Sequence, residues 1–247
     1  FINEGNISLK ENTVGSRAKD NVAVYAQGNY LLEHNAGTID VAASGVGLYL
    51  KGDKGGTANI ASTIKLEDNT SDNTTIGVYS DGDANVNFKA GSKLEIGKGG
   101  IGLYSKDVTK FNTTFTIENK LKTTLGENSA LAYLKGDNAK TTNVGDFLSK
   151  VELETNMGAN SNLIYTTGGT KAILDKDTTI VKGTSDSTSV LSANDGSTVE
   201  VASGKQLLTN THTALLANNA TANNKGTINS TREKGIGIYA VNSKDSD

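Results

Sequence analysis

Acidic side chains at alternate positions are the first residues in this sequence that could do chemistry. The heptapeptide "DGDANVN" places Asp81, Asp83 and Asn85 at the alternate spacing that opens an EF-hand calcium loop. The pattern then fails, because Val86 stands at the position of the required glycine and Ser92 at that of the bidentate glutamate. We therefore interpret the segment as a corner that runs into a strand, and we expect neither a metal site nor a cofactor.

Charged residues also recur in five short segments, "TIDV", "TIKL", "KLEI", "KVEL" and "STVEV". The residues at the shared position are Asp40, Lys65, Glu95, Glu152 and Glu200. Enzymatic cleavage of a glycosidic bond needs two carboxyl groups within about 5–10 Å of each other. Here a lysine or neutral residues separate most of the acids, so we predict a solvated face. A β-helical carbohydrate-active enzyme, a polysaccharide lyase or hydrolase, is kept as the alternative.

Other catalytic constellations fail on residue type or context. His34 and His212 are solitary and stand in unrelated contexts, which predicts two surface histidines. The sequence contains no G-x-S-x-G, and no Gly-rich phosphate loop precedes a helical pattern. Cysteine is absent, which excludes a disulfide scaffold and a thiolate metal site. We therefore expect the protein not to be an enzyme.

The composition favours strands and turns. Only 35% of the 247 residues are hydrophobic, and the chain has 28 glycines, no proline and no tryptophan. The net charge is −3 with both signs interspersed, which gives no reason to expect a nucleic-acid partner. No apolar run approaches the ~18 residues of a membrane helix, so we expect no membrane insertion by this segment.

One phrase recurs along the whole chain. "GVGLYLKG", with Tyr49 at its fifth position, returns with tyrosine at the same place in six other copies. Those tyrosines are Tyr25, Tyr79, Tyr104, Tyr133, Tyr165 and Tyr239. Two degenerate copies, "SVLSANDG" and "TALLANNA", are predicted to complete the series with Ala193 and Ala217 at the tyrosine place. Spacings of 22 to 32 residues are typical of a solenoid.

A single unit, residues 76–100, shows what is repeated. Its runs "IGVYS", "ANVNF" and "KLEI" each alternate apolar and polar residues, which predicts three half-buried strands, and turn compositions separate them. A propeller blade needs about 40 residues, so three strands in 25 fit one coil of a parallel β-helix. We predict an all-β, right-handed parallel β-helix of about nine rungs with three short strands per rung. The winding is expected from the common form of such coils.

The alternation also predicts which side chains lie inside. We place the aliphatic residues of the phrase in the interior: Val46, Leu48, Ile76, Val78, Ile101, Leu103, Ile236 and Ile238. The tyrosines then point outward, and each ring leans over a nearby glycine. Leu131, Leu163, Leu191 and Leu215 at the glycine place keep open the alternative that the tyrosines point inward. A tyrosine ladder is most often structural, but a carbohydrate-stacking platform also stays open.

Extended corners carry the candidate binding residues. Asp68, Asn69 and Asp72 lie in the corner 67–75, whereas Asn138 and Asp146 lie in the connection 136–146. Insertions that recur on one edge of a solenoid often build its binding face. A neutral explanation, that surface corners simply tolerate length, is equally compatible with the pattern.

The recurrent "GIGLYS", "GVGLYL" and "GIGIYA", together with "AGSKLEIG", resemble passenger repeats of the large fusobacterial autotransporter adhesins, from about residue 21 to 242. The resemblance implies that 1–247 is one β-helical segment of a longer passenger. It further implies type V secretion to the bacterial cell surface, with an outer-membrane barrel elsewhere in the full chain. Such adhesins are virulence proteins that attach to other bacteria and to host cells, so the implied partners are a host-cell receptor or glycan, or the surface of partner bacteria.

Overall fold

The computed structural model describes residues 1–9, 21–52, 55–69, 74–82, 84–107, 110–136 and 140–242. Strands make up 55% of the structure and helices 4%, and parallel strands stack as a right-handed β-solenoid. Eight complete coils of three strands run from β3 to β26, with β1 and β2 before them and β27 after them. The predicted fold class is therefore confirmed, and the count of nine matches the strands of one face.

Each coil contributes one strand to each of three faces. The first face, which carries the repeated phrase, consists of β3 (Val22–Gln27), β6 (Val46–Lys51), β9 (Thr75–Asp81), β12 (Gly100–Lys106), β15 (Ala130–Lys135), β18 (Asn162–Thr167), β21 (Ser189–Asn194), β24 (Thr213–Asn218) and β27 (Ile236–Val241). The second face consists of β1 (Ile2–Asn3), β4 (Leu31–His34), β7 (Thr57–Ile60), β10 (Asn85–Phe88), β13 (Phe115–Ile117), β16 (Thr141–Asn143), β19 (Lys171–Leu174), β22 (Thr198–Val201) and β25 (Thr221–Asn224). The third face consists of β2 (Ile7–Ser8), β5 (Thr38–Val41), β8 (Thr63–Leu66), β11 (Lys93–Ile96), β14 (Leu121–Leu125), β17 (Val151–Leu153), β20 (Thr178–Ile180), β23 (Gln206–Thr209) and β26 (Thr227–Ser230).

Alternation places the core as predicted on the second and third faces. In β11, Leu94 and Ile96 are buried, and Lys93 and Glu95 alternate with them on the outer side. Leu94 pairs in register with Ile64 of the preceding coil, so aliphatic side chains form columns along the interior. Burial of these columns is the main stabilising contribution, at roughly 25 cal/mol per Å² of apolar surface.

The first face differs from the prediction at two places of the phrase. Leu103 is fully buried and Tyr104 faces outward, as expected, which excludes the alternative of inward tyrosines. However, a Cβ added to Gly102 would lie 2.6 Å from the core atom Cδ1 of Ile96, so the glycine place faces inward. Ile101 is half-buried on the outer side instead. The predicted interior position of Val46, Ile101 and Ile236 is therefore wrong, because two consecutive residues of each strand face the core.

The two degenerate copies are shifted by one residue from the predicted alignment. Tyr165 pairs with Ser192, which pairs with Leu216, which pairs with Tyr239. Ser192 and Leu216 therefore occupy the tyrosine place, and Ala193 and Ala217 are buried. By the same shift, Leu191 and Leu215 take the interior place of Leu103, and the predicted assignment of these two to the glycine place is wrong.

Left-handed residues at the first corner support the corrected alignment. They recur three positions after the tyrosine place: Gly28, Gly82, Asp107, Gly168, Asp195, Asn219 and Asn242 all have a φ between 49° and 86°. Glycine, asparagine and aspartate tolerate this conformation best. The corner geometry therefore explains why most copies of the phrase end in one of these residues.

The second and third faces are interrupted near the fifth coil, which consists of β15, β16 and β17. No ladder joins β13 to β16 or β17 to β20, whereas the first face is one sheet of nine strands. Two four-residue helices, α1 (Phe111–Thr114) and α2 (Gly145–Leu148), lie at this break. Neither is long and apolar enough to cross a membrane, and the described residues include no helix that is.

Three buried phenylalanines fill the interior at the break. The ring of Phe111 lies 5.0 Å from that of Phe115 and 5.1 Å from that of Phe147, between centroids. Each of the three is at most 1% exposed. Aromatic rings supply a large buried volume per residue, so this phenylalanine cluster occupies the space that two inserted helices open between coils.

Candidate functional site

Two of the predicted binding residues, Asp68 and Asn69, hold one corner to the next. The Oδ1 atom of Asp68 accepts a hydrogen bond from the backbone N–H of Lys98 at 2.7 Å, and the N–H of Asn69 donates to the carbonyl of Lys98 at 2.8 Å. Asn69 is also buried. These contacts give both residues a structural task, which sequence reasoning had not assigned to them.

Asp146 lies in the first turn of α2 and is held by two lysines. Its carboxylate lies 2.8 Å from the Nζ atom of Lys176 and 3.2 Å from that of Lys150. The hydrogen bond from Lys176 is the largest cause of a lowered pKa for this carboxyl. Asp68 and Asp146 belong to different coils and corners, and Asp72 and Asn138 lie outside the described residues. The predicted candidates therefore do not converge on one site among the described residues.

The predicted column of charged residues exists only in part. Asp40, Lys65 and Glu95 pair in register on the third face, and the next residue of that column is Thr124. Glu152 is displaced, because it pairs with Lys122 rather than with Thr124. Glu200 lies on the second face, opposite Ile173, so its assignment to a third strand is wrong.

The closest partners of the acidic side chains on these faces are lysines. Lys93 contacts Glu95 at 2.7 Å and Glu154 at 2.8 Å, between Nζ and carboxylate oxygens. The hydrogen bond from Lys93 is the main reason why the pKa of Glu154 is lowered. A carboxyl that acts as a general acid needs a raised pKa instead. The contact with Lys93 thus favours the ionised form of Glu154.

Glu200 is the most buried acid of the described chain, at 5% exposed. Burial raises its pKa, but contacts to Lys171 at 2.9 Å and Lys225 at 3.1 Å outweigh that effect and lower it. Lys171 belongs to the preceding coil and Lys225 to the following coil, so this triad joins successive coils rather than opening a reactive site.

His34 is buried, which contradicts the predicted surface position. It pairs with Ile60 and takes the same interior place one coil earlier. Its Nε2 atom accepts from Nδ2 of Asn3 at 2.8 Å, so Nδ1 carries the proton and donates to Oγ of Ser62 at 2.6 Å. Desolvation lowers the pKa of His34. Sequence reasoning missed this place because a histidine at the end of "LLEH" interrupts the apolar alternation.

The tyrosines form a ladder along the first face. Successive rings of Tyr49, Tyr79, Tyr104, Tyr133 and Tyr165 lie 4.6 to 5.0 Å apart between centroids and are nearly parallel. Burial is the main cause that raises the pKa of Tyr133 to about 12. Each inner ring covers the faces of its neighbours instead of a glycine, so only ring edges and hydroxyl groups face outward. This geometry argues against the carbohydrate-stacking platform along the ladder, because a sugar would need an open ring face.

The two flanks of the ladder differ in charge. One flank carries Lys51, Asp81 and Lys106, and Lys106 lies 3.7 Å from Asp81 between Nζ and Oδ1. The other flank carries the second residue of the phrase, such as Ile101 and Asn162, and has no charged side chain at that place in β12 to β27. Sequence reasoning missed this flank because these residues were expected in the core. The sequence signal that could have revealed this flank is the change of these residues from aliphatic to polar along the chain.

The described residues contain no group of three or more histidine, aspartate or glutamate side chains arranged to hold a metal ion. Comparison of the chain with protein families, with curated proteins and with solved structures found no match in any of the three. The candidate site is thus defined by the tyrosine ladder and its flanks alone.

Proposed function

We propose that this chain is a non-catalytic adhesive segment of an autotransporter passenger, displayed at the bacterial cell surface. The observation that carries the proposal is the unbroken first face, a sheet of nine parallel strands with five stacked tyrosines in one ladder. Such a sheet builds a stiff rod whose outer columns repeat from coil to coil. Its partners are a host-cell receptor or glycan, or the surface of partner bacteria.

The ion pairs that the acidic side chains form with lysines support a role without covalent chemistry. Glu95 and Glu154 share Lys93, and Glu200 lies between two lysines. These contacts stabilise the ionised carboxylates and join coils. A rod that contacts its partner at many weak sites can still hold firmly, because linked contacts multiply modest affinities.

Attachment of beads coated with the 247-residue chain to host cells and to a panel of bacteria tests the proposal. We expect attachment above that of beads coated with the heat-denatured chain. The soluble folded chain should compete with the coated beads. Attachment no greater than that of the denatured chain across the panel would contradict adhesion.

A parallel assay addresses the alternative of a β-helical carbohydrate-active enzyme. The purified chain is incubated with a panel of polysaccharides, and new reducing or unsaturated ends are measured. We expect none. Product release that is abolished in Glu95→Gln or Glu154→Gln, with the fold retained by circular dichroism, would replace the adhesive proposal by the enzymatic one.

A further inference from the structure

Two cavities occupy equivalent places beside the tyrosine ladder in successive coils. The first, of about 220 Å³, lies between Tyr133 and Tyr165 on one side and the corner residue Asn128 on the other. The second, of about 360 Å³, lies beside Leu216 and Tyr239, with His212 at its corner side. The first cavity ends at the coil of β18 and the second begins at the coil of β21, so the two form one longitudinal groove.

The floor of the longitudinal groove is the second residue of the repeated phrase, in the corrected alignment. In register, coil after coil, the floor residues are Ile101, Ala130, Asn162, Ser189, Thr213 and Ile236. Strands stack about 4.8 Å apart, so the floor extends for about 24 Å. It is aliphatic at both ends and carries amide and hydroxyl groups in the middle, where Oγ of Ser189 donates to Oδ1 of Asn162.

The lining of the groove carries no fixed charge. Its polar groups are hydroxyls, amides and the imidazole of His212, whose Nδ1 contacts Oγ1 of Thr213 at 3.2 Å. Lysines and aspartates of the same strands lie on the opposite flank of the ladder. A groove of this kind gives no electrostatic reason to bind a polyanion or a polycation, and it favours a neutral chain.

The lining of the groove combines apolar surface with groups that form hydrogen bonds. Ile101 lies beside the amide of Asn162 in the first cavity, and Leu216 lies beside the hydroxyl of Thr213 in the second. Such a surface suits a ligand that has both an apolar face and hydroxyls. A neutral sugar has both.

The backbone argues against an extended peptide as the occupant. Peptides that bind to sheets mainly use backbone hydrogen bonds at a free strand edge. From β12 to β24 the strands under the groove are inner members of a continuous sheet, so their N–H and C=O groups already pair with adjacent coils. Along that stretch only side chains reach the groove.

We propose that the longitudinal groove binds a neutral, linear glycan chain that lies parallel to the axis of the solenoid. This inference rests on the proposed adhesive function and names the ligand class and the surface. Because the groove crosses six successive strands, from β12 to β27, a longer chain contacts more floor residues. Affinity should therefore rise with chain length.

Binding of neutral linear oligosaccharides of two, four and six β-linked hexose units, immobilised as a panel, tests the proposal. We expect binding that strengthens at least tenfold from two to six units. Ala130→Arg and Ile236→Arg place a long charged side chain in the first and second cavity, and each should weaken binding at least tenfold. Tyr239→Ala should weaken it severalfold, because the ring lines the second cavity.

The matched control is Thr124→Arg, which adds the same side chain at an outward position of the third face and should leave binding within twofold. Circular dichroism and the thermal midpoint establish that all variants fold. No binding to any neutral oligosaccharide, or equal binding by the groove variants and the parent chain, would overturn the proposal. Preferential binding of heparin or of an extended polyglutamate would overturn it as well.

Attachment of coated beads, measured with the same variants, separates this inference from the proposed function. Attachment that persists in Ala130→Arg and Ile236→Arg would leave adhesion standing and refute the groove as its surface. Attachment lost in these variants, without any glycan binding, would keep the groove but refute the glycan. Absence of attachment by the parent chain would refute adhesion itself.

Discussion

The first face and the other two faces are built from the same kind of short parallel strand, yet only the first is unbroken. Its strands contain six or seven residues and follow one another in register from β3 to β27. Strands of the second and third faces have two to five residues, and their sheets break at the fifth coil. The difference shows where the repeat specifies structure strictly and where it does not.

Length variation between strands explains the contrast. The phrase has a constant length, so each copy meets the next along its whole course. The segments between phrases vary, and the longest lies between Tyr133 and Tyr165. There the chain forms α2 and closes the interior with phenylalanines, as α1 does one coil earlier. A ladder tolerates no inserted residue without losing its pairing, whereas a corner does.

The largest loss of stability is expected for a substitution on the core-facing side of the first face. Leu103→Asp would bury a carboxylate between Val78 and Ala132, its partners in the adjacent coils. An unpaired buried charge costs several kcal/mol, so we expect the free energy of unfolding to fall by about 4 kcal/mol or more. Urea unfolding followed by circular dichroism measures the change.

Tyr104→Ala, at the adjacent outward position, is the comparison for that measurement. It removes two stacking contacts, at 4.8 and 5.0 Å, and should cost about 2 kcal/mol. Tyr104→Phe keeps the stack and should cost much less. A larger loss for Tyr104→Ala than for Leu103→Asp would reverse the assignment of inner and outer sides.

The second effect concerns the break in the other two faces. Phe111→Ala removes a ring packed against Phe115 and Phe147 and should lower the free energy of unfolding by about 3 kcal/mol. Because neither neighbouring sheet continues across the break, we expect amide exchange to accelerate mainly in β13 and β16. Equal acceleration in the inner strands of the first face would show that the faces do not open separately.

The fold could be predicted from the sequence because the alternation and the period are both strong. The three runs of residues 76–100 coincide with β9, β10 and β11, and the recurring tyrosine fixed most of the register. The register failed at Ser192 and Leu216 because "SVLSAN" and "TALLAN" place small or apolar residues on both faces. A shift by one residue then satisfies the pattern equally well.

The interruptions could not be predicted for a different reason. Helices of four residues have no amphipathic period, and neither α1 nor α2 has a side-chain cap to mark its start. The candidate site was missed because the second residue of the phrase is aliphatic in the early copies, and only the structure shows that Ile101 faces outward. Burial of His34 likewise depends on Asn3 and Ser62, which are distant in sequence.

The third prediction uses pH to probe a place where the core is polar. His34 has a pKa lowered below its ordinary value of 6.5 by desolvation, so the unfolded chain takes up the proton first. This contribution to stability is complete above about pH 6.5 and is lost as the pH falls toward the pKa of the folded state. We expect the urea midpoint to fall between pH 7.5 and 5.5, and less so in His34→Leu.

A titration of the His34 ring by nuclear magnetic resonance provides the direct check, with His212 as the internal comparison. The His34 signal should titrate at a lower pH than that of a histidine in an unfolded peptide. A midpoint at or above 6.5 for His34 would contradict the buried, neutral imidazole. The parent chain and His34→Leu would then lose stability in parallel.

The smallest effect is expected for the ion pairs that join the fifth and sixth coils beside the break. Asp146 contacts Lys176 across these coils and Lys150 within its own, but its side chain is 45% exposed. Water and salt screen such pairs, so Asp146→Asn should cost only about 0.5 kcal/mol, and the cost should vanish at 1 M salt. The pKa of Asp146 is lowered from 3.8 in the folded state. Its contribution to the free energy of unfolding is therefore present above about pH 3.8 and is lost as the pH falls through the lower pKa of the folded state. The parent chain and Asp146→Asn should therefore differ at pH 7 and converge near pH 2. A loss comparable to that of Phe111→Ala, or one that persists in high salt, would mean that charge rather than the phenylalanine cluster holds the two halves of the interrupted faces together.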